Sequence, residues 1–257
     1  VTAAVSGGVL AINVSGVASP LAIYTNTIGN ATANNIRRGT SGLTTGSCAV
    51  AGITLAASPT GTVSINSNTI QNLTSYGSGT TGYVRGIQTI AVTGSSSVYN
   101  IINNTIYNLT TNANNTSLAN GNTCATGIVL SGGNASTISQ NTVYNLSSIS
   151  TGTTASYVAG IMHGNATNTV ITRNKVYGLS NAGTSVTTTA PSAIVGIGVR
   201  SGTTALAIQN NMISLGDGIT TNSAIIGIML NHGSTPDPID NVYFNSIYLA
   251  ASSVGAN

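Results

Sequence analysis

The sequence predicts an all-β chain in which about seven similar coils stack into one solenoid. An Asn followed two residues later by a hydrophobic β-branched residue, Ile or Val, occurs seven times, at intervals of 33 to 42 residues. A Gly followed by an aliphatic residue alternates with these Asn markers. The polar residues are mostly Asn, Thr, Ser and Gly, which suit strands and tight turns, and Glu is absent. A repeat of this period is typical of stacked supersecondary units.

The Asn markers predict a column of amides along the solenoid axis. An Ile or Val stands three residues before each Asn and another stands two residues after it, so the Asn falls between inward positions, where a coil turns a corner. Amides stacked in this way hydrogen-bond along the axis. We therefore expect a structural ladder made of Asn26, Asn68, Asn104, Asn141, Asn174, Asn211 and Asn245.

A second corner is predicted four residues after each of the first five markers. Asn and Gly occupy this position, and they are the residues that best tolerate a positive φ. The predicted corner residues are Asn30, Asn72, Asn108, Asn145 and Gly178. In the last two repeats this residue is missing and the following Leu moves one place closer, to Leu215 and Leu249. The cross-section of the solenoid should change there.

The Gly markers predict a second inward-facing strand in every repeat. From Gly to the next Asn is 14 to 18 residues, whereas from Asn to the next Gly is 16 to 26. Because insertions belong in loops, the variable loops should follow the Asn strand, at one corner. The Gly markers are Gly8, Gly52, Gly86, Gly127, Gly160, Gly196 and Gly227.

The pattern resembles the right-handed parallel β-helix repeats of bacterial extracellular proteins, with Asn-x-Ile-x-Asn-Leu as the matching motif. The resemblance covers essentially the whole chain. It implies a right-handed winding, which is also the general hand of parallel β crossovers. We expect residues 1–257 to form a single β-solenoid domain, as a segment of a longer or polymeric protein, outside the cell or on its surface.

The composition argues against several function classes. Only 4% of the residues are charged, against roughly 25% in ordinary soluble domains. Contacting roughly 6–10 phosphates would take every cation of the chain, so no nucleic-acid partner is expected. No apolar run is long enough for a membrane-spanning helix. The three acids, Asp217, Asp237 and Asp240, lie in predicted turns, so the carboxylate pair of a glycoside hydrolase is not expected.

Two lone histidines do not make a metal site, so no metal or cofactor is expected. Tyr107, Tyr144 and Tyr177 fall in one outward column and should stack about 4.8 Å apart. They form either a self-stacked ladder or a strip that contacts glycans or a neighbouring rod.

The two cysteines, Cys48 and Cys124, lie in repeats two coils apart, about 9.6 Å along the axis. Disulfide geometry limits Cα atoms to about 7 Å, so strands cannot bridge this gap. Both repeats carry large insertions, which leaves a disulfide between loops and two separate thiols as open alternatives.

The main functional prediction is a non-catalytic extracellular structural repeat protein, as a segment of a surface fibre, stalk or adhesin. Open solenoid ends expose unpaired strands, so self-association end to end into filaments, or laterally, is part of it. The alternative is a carbohydrate-binding β-helix module. A polysaccharide lyase or hydrolase comes third.

Overall fold

The computed structural model describes residues 7–16, 20–41, 46–56, 59–90, 96–114, 123–151, 155–184, 192–200, 205–231 and 240–250. Within these ranges the chain forms 23 β-strands, arranged in three parallel sheets, and no helix. The chain is therefore an all-β parallel solenoid, as the sequence predicts. Nothing helical in the described part of the chain is long and apolar enough to cross a membrane.

The strands follow one another around the three sheets. The first sheet holds the Gly markers and consists of β1 (Gly7–Val14), β5 (Cys48–Leu55), β8 (Tyr83–Thr89), β11 (Ala125–Leu130), β14 (Tyr157–His163), β18 (Ala193–Arg200) and β21 (Ala224–Asn231). The second sheet precedes the Asn markers and consists of β2 (Leu21–Tyr24), β6 (Thr62–Asn66), β9 (Val98–Ile102), β12 (Thr137–Ser139), β15 (Val170–Thr172), β19 (Leu206–Gln209) and β22 (Asp240–Tyr243).

The third sheet follows the Asn markers. It consists of β3 (Thr27–Ile28), β7 (Thr69–Ser75), β10 (Thr105–Thr111), β13 (Thr142–Ser148), β16 (Lys175–Tyr177), β20 (Met212–Leu215) and β23 (Ser246–Leu249). Two short strands, β4 (Ile36–Arg38) and β17 (Ser180–Asn181), pair with β7 and β13. The predicted variable loops include residues 42–45, 115–122, 152–154 and 185–191, which lie outside the described residues.

The solenoid has about five turns, slightly fewer than the seven coils predicted. Each sheet orders its strands by repeat, so only the five interior repeats have a coil on both sides, and the first and last are edge coils.

Like residues lie directly above like in the core. Ile106 of β10 pairs with Ile70 of β7 on one side and with Val143 of β13 on the other. All three side chains are fully buried. β-branched side chains fit such ladders because their stiff χ1 angles suit the pleated surface. The single file of aliphatic residues that the sequence predicts is confirmed.

The Gly and Asn markers meet inside the coil. A Cβ atom on Gly86 would lie 2.5 Å from the Cγ2 of Ile106, and one on Gly127 would lie 2.4 Å from the Cγ1 of Val143. Glycine is therefore required where the first sheet approaches the third sheet.

The first Gly marker is misplaced in the sequence analysis. Ile12 pairs with Ile53, whereas Gly8 pairs with Ala49, so Gly8 lies outside the Gly column and Ala11 stands beside Gly52. The reason is that Ala11-Ile12 stands in the first coil where the other coils have Gly followed by an aliphatic residue.

The five interior strands of the first sheet are buried on both faces, whereas the alternation in the sequence predicts one inward face per strand. Its outer face carries a second apolar cluster that includes Val129, Met162 and Val195, each at most 1% exposed. The uninterrupted apolar runs of β14, β18 and β21 are the feature that indicates this, since strands covered on both faces lack alternation.

Candidate functional site

The seven marker asparagines form one continuous ladder. Each Asn donates from its backbone N–H and from Nδ2 to the Oδ1 of the next Asn along the axis; for Asn104 and Asn141 both distances are 2.9 Å. The Nδ2 group also donates to a backbone carbonyl of the previous coil, that of the Ile three residues before the Asn marker of that coil. Asn141 Nδ2 donates in this way to the carbonyl of Ile101 at 2.9 Å. The ladder therefore satisfies buried backbone groups at the corner, and its interior amides are used up by these bonds.

The residue just before each ladder Asn has a positive φ, and sequence analysis missed this column. The φ values lie between 53° and 58°, and the side chains share no chemical type. The seven residues are Thr25, Ser67, Asn103, Gln140, Arg173, Asn210 and Phe244. A non-Gly residue in this conformation costs about 1–3 kcal/mol. The ladder imposes the turn, so no residue preference reveals it.

The predicted second corner has the expected conformation in four of its five members. Asn72, Asn108, Asn145 and Gly178 have φ values of 54° to 65°. In the first coil the positive φ falls on Gly29 instead of Asn30. In the repeat that follows Gly178, the strand ends at the buried Leu215 and Gly216 takes the positive φ, so the cross-section changes where the sequence predicts it.

The tyrosines Tyr107, Tyr144 and Tyr177 stack on one another on the outer face of the third sheet. Their ring centroids are 4.8 and 4.9 Å apart, and their planes are within 4° of parallel. Burial, together with the two neighbouring phenols, raises the pKa of Tyr144. Because the ring faces cover one another, the stack offers ring edges and hydroxyl groups to solvent along most of its length.

A groove of about 390 Å³ runs along the axis beside this stack. Its first wall is the second corner, where the amides bond along the axis: Asn145 Nδ2 donates to Asn108 Oδ1 at 3.3 Å, and Asn108 Nδ2 donates to Asn72 Oδ1 at 3.1 Å. Each of these amides uses only part of its capacity of two donors and two lone pairs within the column. The groove ends at Gly178, where the corner column ends.

The second wall of the groove is a column of hydroxyl groups two residues further along each strand. It contains Thr74, Thr110, Ser147 and Ser180. Ser147 Oγ donates to Thr110 Oγ1 at 3.0 Å, and Thr74 Oγ1 donates to Asn34 at 2.6 Å. Both walls thus repeat once per coil and carry donors and acceptors but no charge. Sequence analysis missed the hydroxyl wall, although its period is visible in the sequence.

Of the two alternatives left open for the cysteines, the structure has the two separate thiols. Cys48 and Cys124 are buried thiols that are not joined to each other. Strand β8 lies between β5 and β11. Cys48 lies two residues before the inward Val50 and shares its face, whereas Cys124 lies directly before the inward Ala125, so the two side chains point to opposite faces of the sheet. The disulfide between loops is not formed because Cys48 begins strand β5 instead of lying in a loop.

Within the described part of the chain, the acids and histidines do not assemble into a metal-binding group. Asp217 is exposed in the turn after β20, and Asp240 begins β22 in a different sheet. His163 is buried between Leu130 and Val199 of the adjacent strands. Among the described residues no three His, Cys, Asp or Glu side chains cluster as metal ligands. Asp237 and His232 lie outside the described residues.

No protein-family model and no curated protein matches the chain. A comparison with solved structures returns the endopolygalacturonase I of Stereum purpureum, complexed with two galacturonate molecules, at 12% identity and a TM-score of 0.14. The alignment covers 95% of this chain and 96% of that one. The bacterial origin implied by the sequence resemblance has no support in these comparisons.

This comparison contradicts the main functional prediction. The solved structure that it returns is an endopolygalacturonase and not a non-catalytic extracellular structural repeat protein. The prediction of a fibre, stalk or adhesin segment is corrected on that account. The TM-score is too low to transfer an activity to this chain.

Proposed function

We propose that the chain binds a linear polysaccharide, which lies along the solenoid axis in the groove beside the tyrosine stack. The observation that carries this proposal is the pair of groove walls, one of amides and one of hydroxyls, each repeated once per coil over neighbouring coils. Sugar hydroxyls both donate and accept hydrogen bonds, so a polysaccharide presents the same mixture at regular intervals.

The groove has the size and the chemistry of a ligand site. Its volume of about 390 Å³ lies within the usual range of roughly 300–1,000 Å³ for small-ligand sites. It is built on adjacent parallel strands, so its walls are rigid and little ordering free energy is lost on binding. The edges of Tyr107 and Tyr144 lie next to the corner residues Asn108 and Asn145, which adds apolar area and phenol hydroxyls along one side.

Binding to a panel of soluble polysaccharides, measured by affinity electrophoresis and isothermal titration calorimetry, tests this proposal. The double variant Thr110→Val, Ser147→Ala removes two groove hydroxyls with little change of shape. At about 1 kcal/mol for each lost hydrogen bond, affinity should fall roughly 30-fold.

The matched control is Thr105→Val, Thr142→Val. These residues lie on the same two strands and are equally half-buried, but they stand on the far side of the tyrosines. This variant should bind as the parent does. If no polysaccharide binds at millimolar concentration, or if both double variants lose affinity equally, the groove is not the site.

A further inference from the structure

The tyrosine column has a gap of one ring near the C-terminal end of the solenoid. Tyr177 pairs in register with Ser214, and Ser214 pairs with Tyr248. Two tyrosines of one column are therefore separated by a coil that carries only a small side chain. The distance across this gap is about 9.6 Å, which is two strand spacings.

The gap has the dimensions of a slot for one ring. In the uninterrupted part of the column the centroids are 4.8 and 4.9 Å apart. A ring placed at the level of Ser214 would therefore lie at this same stacking distance from Tyr177 and from Tyr248. The slot is open, because Ser214 is exposed and Tyr248 is 62% exposed.

A cation lies over one face of this slot. The Nζ atom of Lys175 lies over the ring of Tyr177, 5.1 Å from its centroid. Tyr144 covers the other face of that ring at 4.9 Å, so the ammonium group is on the face that looks into the slot, and the flexible side chain has to swing to the rim when a ring enters. Met212 stands above Lys175 in register, is 57% exposed, and provides an apolar rim.

We infer that the slot binds a sugar ring that carries a carboxylate, such as a uronate residue. The two tyrosine faces pack against the C–H faces of the sugar, as aromatic side chains do in binding sites. The ammonium group of Lys175 pairs with the carboxylate at the rim. Tyr177 is followed directly by Gly178, where the groove ends, so a polysaccharide chain in the groove leads into the slot. This inference rests on the proposed function and adds the chemical class of one sugar residue.

The test uses a trisaccharide of glucuronate and the same trisaccharide with its carboxylates reduced to hydroxymethyl groups. Titration calorimetry should show at least tenfold tighter binding of the charged form, with a preference that weakens in high salt. Ser214→Tyr fills the gap with a ring and should weaken uronate binding tenfold or more. Lys175→Gln should remove the preference for the charged form. Equal binding of both trisaccharides, or undiminished uronate binding by Ser214→Tyr, would overturn the inference.

The groove variants separate this inference from the proposed function. Ser214→Tyr should leave the binding of a neutral polysaccharide in the groove unchanged, whereas Thr110→Val with Ser147→Ala should weaken it. If the groove variants act as expected but the slot variants do not, the uronate site is wrong and the groove stands. If the parent protein self-associates and Ser214→Tyr abolishes this self-association, the slot accepts a ring from a second copy. That result would overturn the assignment to a sugar.

Discussion

Replacement of Asn141 by Ala tests the asparagine ladder at its centre. The Asn141 carboxamide makes four hydrogen bonds, all at 2.9 Å: it accepts from the backbone N–H and Nδ2 of Asn104, and it donates to the carbonyl of Ile101 and to Oδ1 of Asn174. The side chain is fully buried. At about 1 kcal/mol for each bond the loss is about 4 kcal/mol, and the buried partner groups left without it add to this cost.

The matched control is Asn26→Ala in the first coil. The Asn26 side chain makes two hydrogen bonds, to the carbonyl of Tyr24 and to Oδ1 of Asn68, and water can reach it. This variant should lose only about 1 kcal/mol, because water replaces the missing partner. Urea unfolding followed by far-ultraviolet circular dichroism compares the two. If Asn141→Ala costs no more than Asn26→Ala, the ladder does not stabilise the solenoid in the way argued above.

Three further predictions concern the core, the alkaline limit and the thiols. Gly127→Ala would place a methyl group 2.4 Å from a methyl group of Val143. Thermal unfolding should show that the free energy of unfolding falls by about 1–3 kcal/mol. The control is Gly16→Ala, where a Cβ atom would meet nothing within 4 Å among the described residues, and its stability should change little. Burial raises the pKa of Tyr99, so the folded chain keeps a proton that the unfolded chain releases near pH 10. Stability should therefore fall as the pH rises above about 10, and Tyr99→Phe should reduce this fall; an identical alkaline profile would contradict it. Thiol titration under denaturing, non-reducing conditions should find two thiols, Cys48 and Cys124; a count of zero would contradict the structure.

The core was predictable because its pattern is both periodic and repeated. Alternation places Ile70 and Ile106 inward, and the shared distance to the Asn marker sets them in register, so two independent observations agree. The amide ladder was predictable for the same reason. The position of the first Gly marker was not, because Ala11-Ile12 takes the place of the Gly-aliphatic pair in the first coil and Gly8 matches the pattern only by chance.

The positive φ of the residue before each ladder Asn was not predictable, because the hydrogen bonds of the Asn impose this conformation and the residue's own side chain does not. Thr25, Arg173 and Phe244 have no intrinsic preference for the left-handed region, and a β-branched Thr disfavours it. The hydrogen bonds of the following Asn hold the turn and offset the backbone cost, so the identity of the preceding residue is unconstrained. The conformation is encoded one residue downstream of where it occurs.

The groove and the slot both begin or end where a repeated column is interrupted. The corner amides stop at Gly178, where the missing side chain ends the groove wall, and the tyrosine column is interrupted at Ser214. The buried Asn ladder satisfies its own hydrogen bonds, and the stacked tyrosines cover one another's ring faces, so neither offers much to a ligand, whereas the groove amides keep part of their bonding capacity. The substitution at Ser214 leaves the faces of Tyr177 and Tyr248 without a ring between them. In a solenoid of this kind, the positions that depart from the repeat are therefore where binding specificity should be sought.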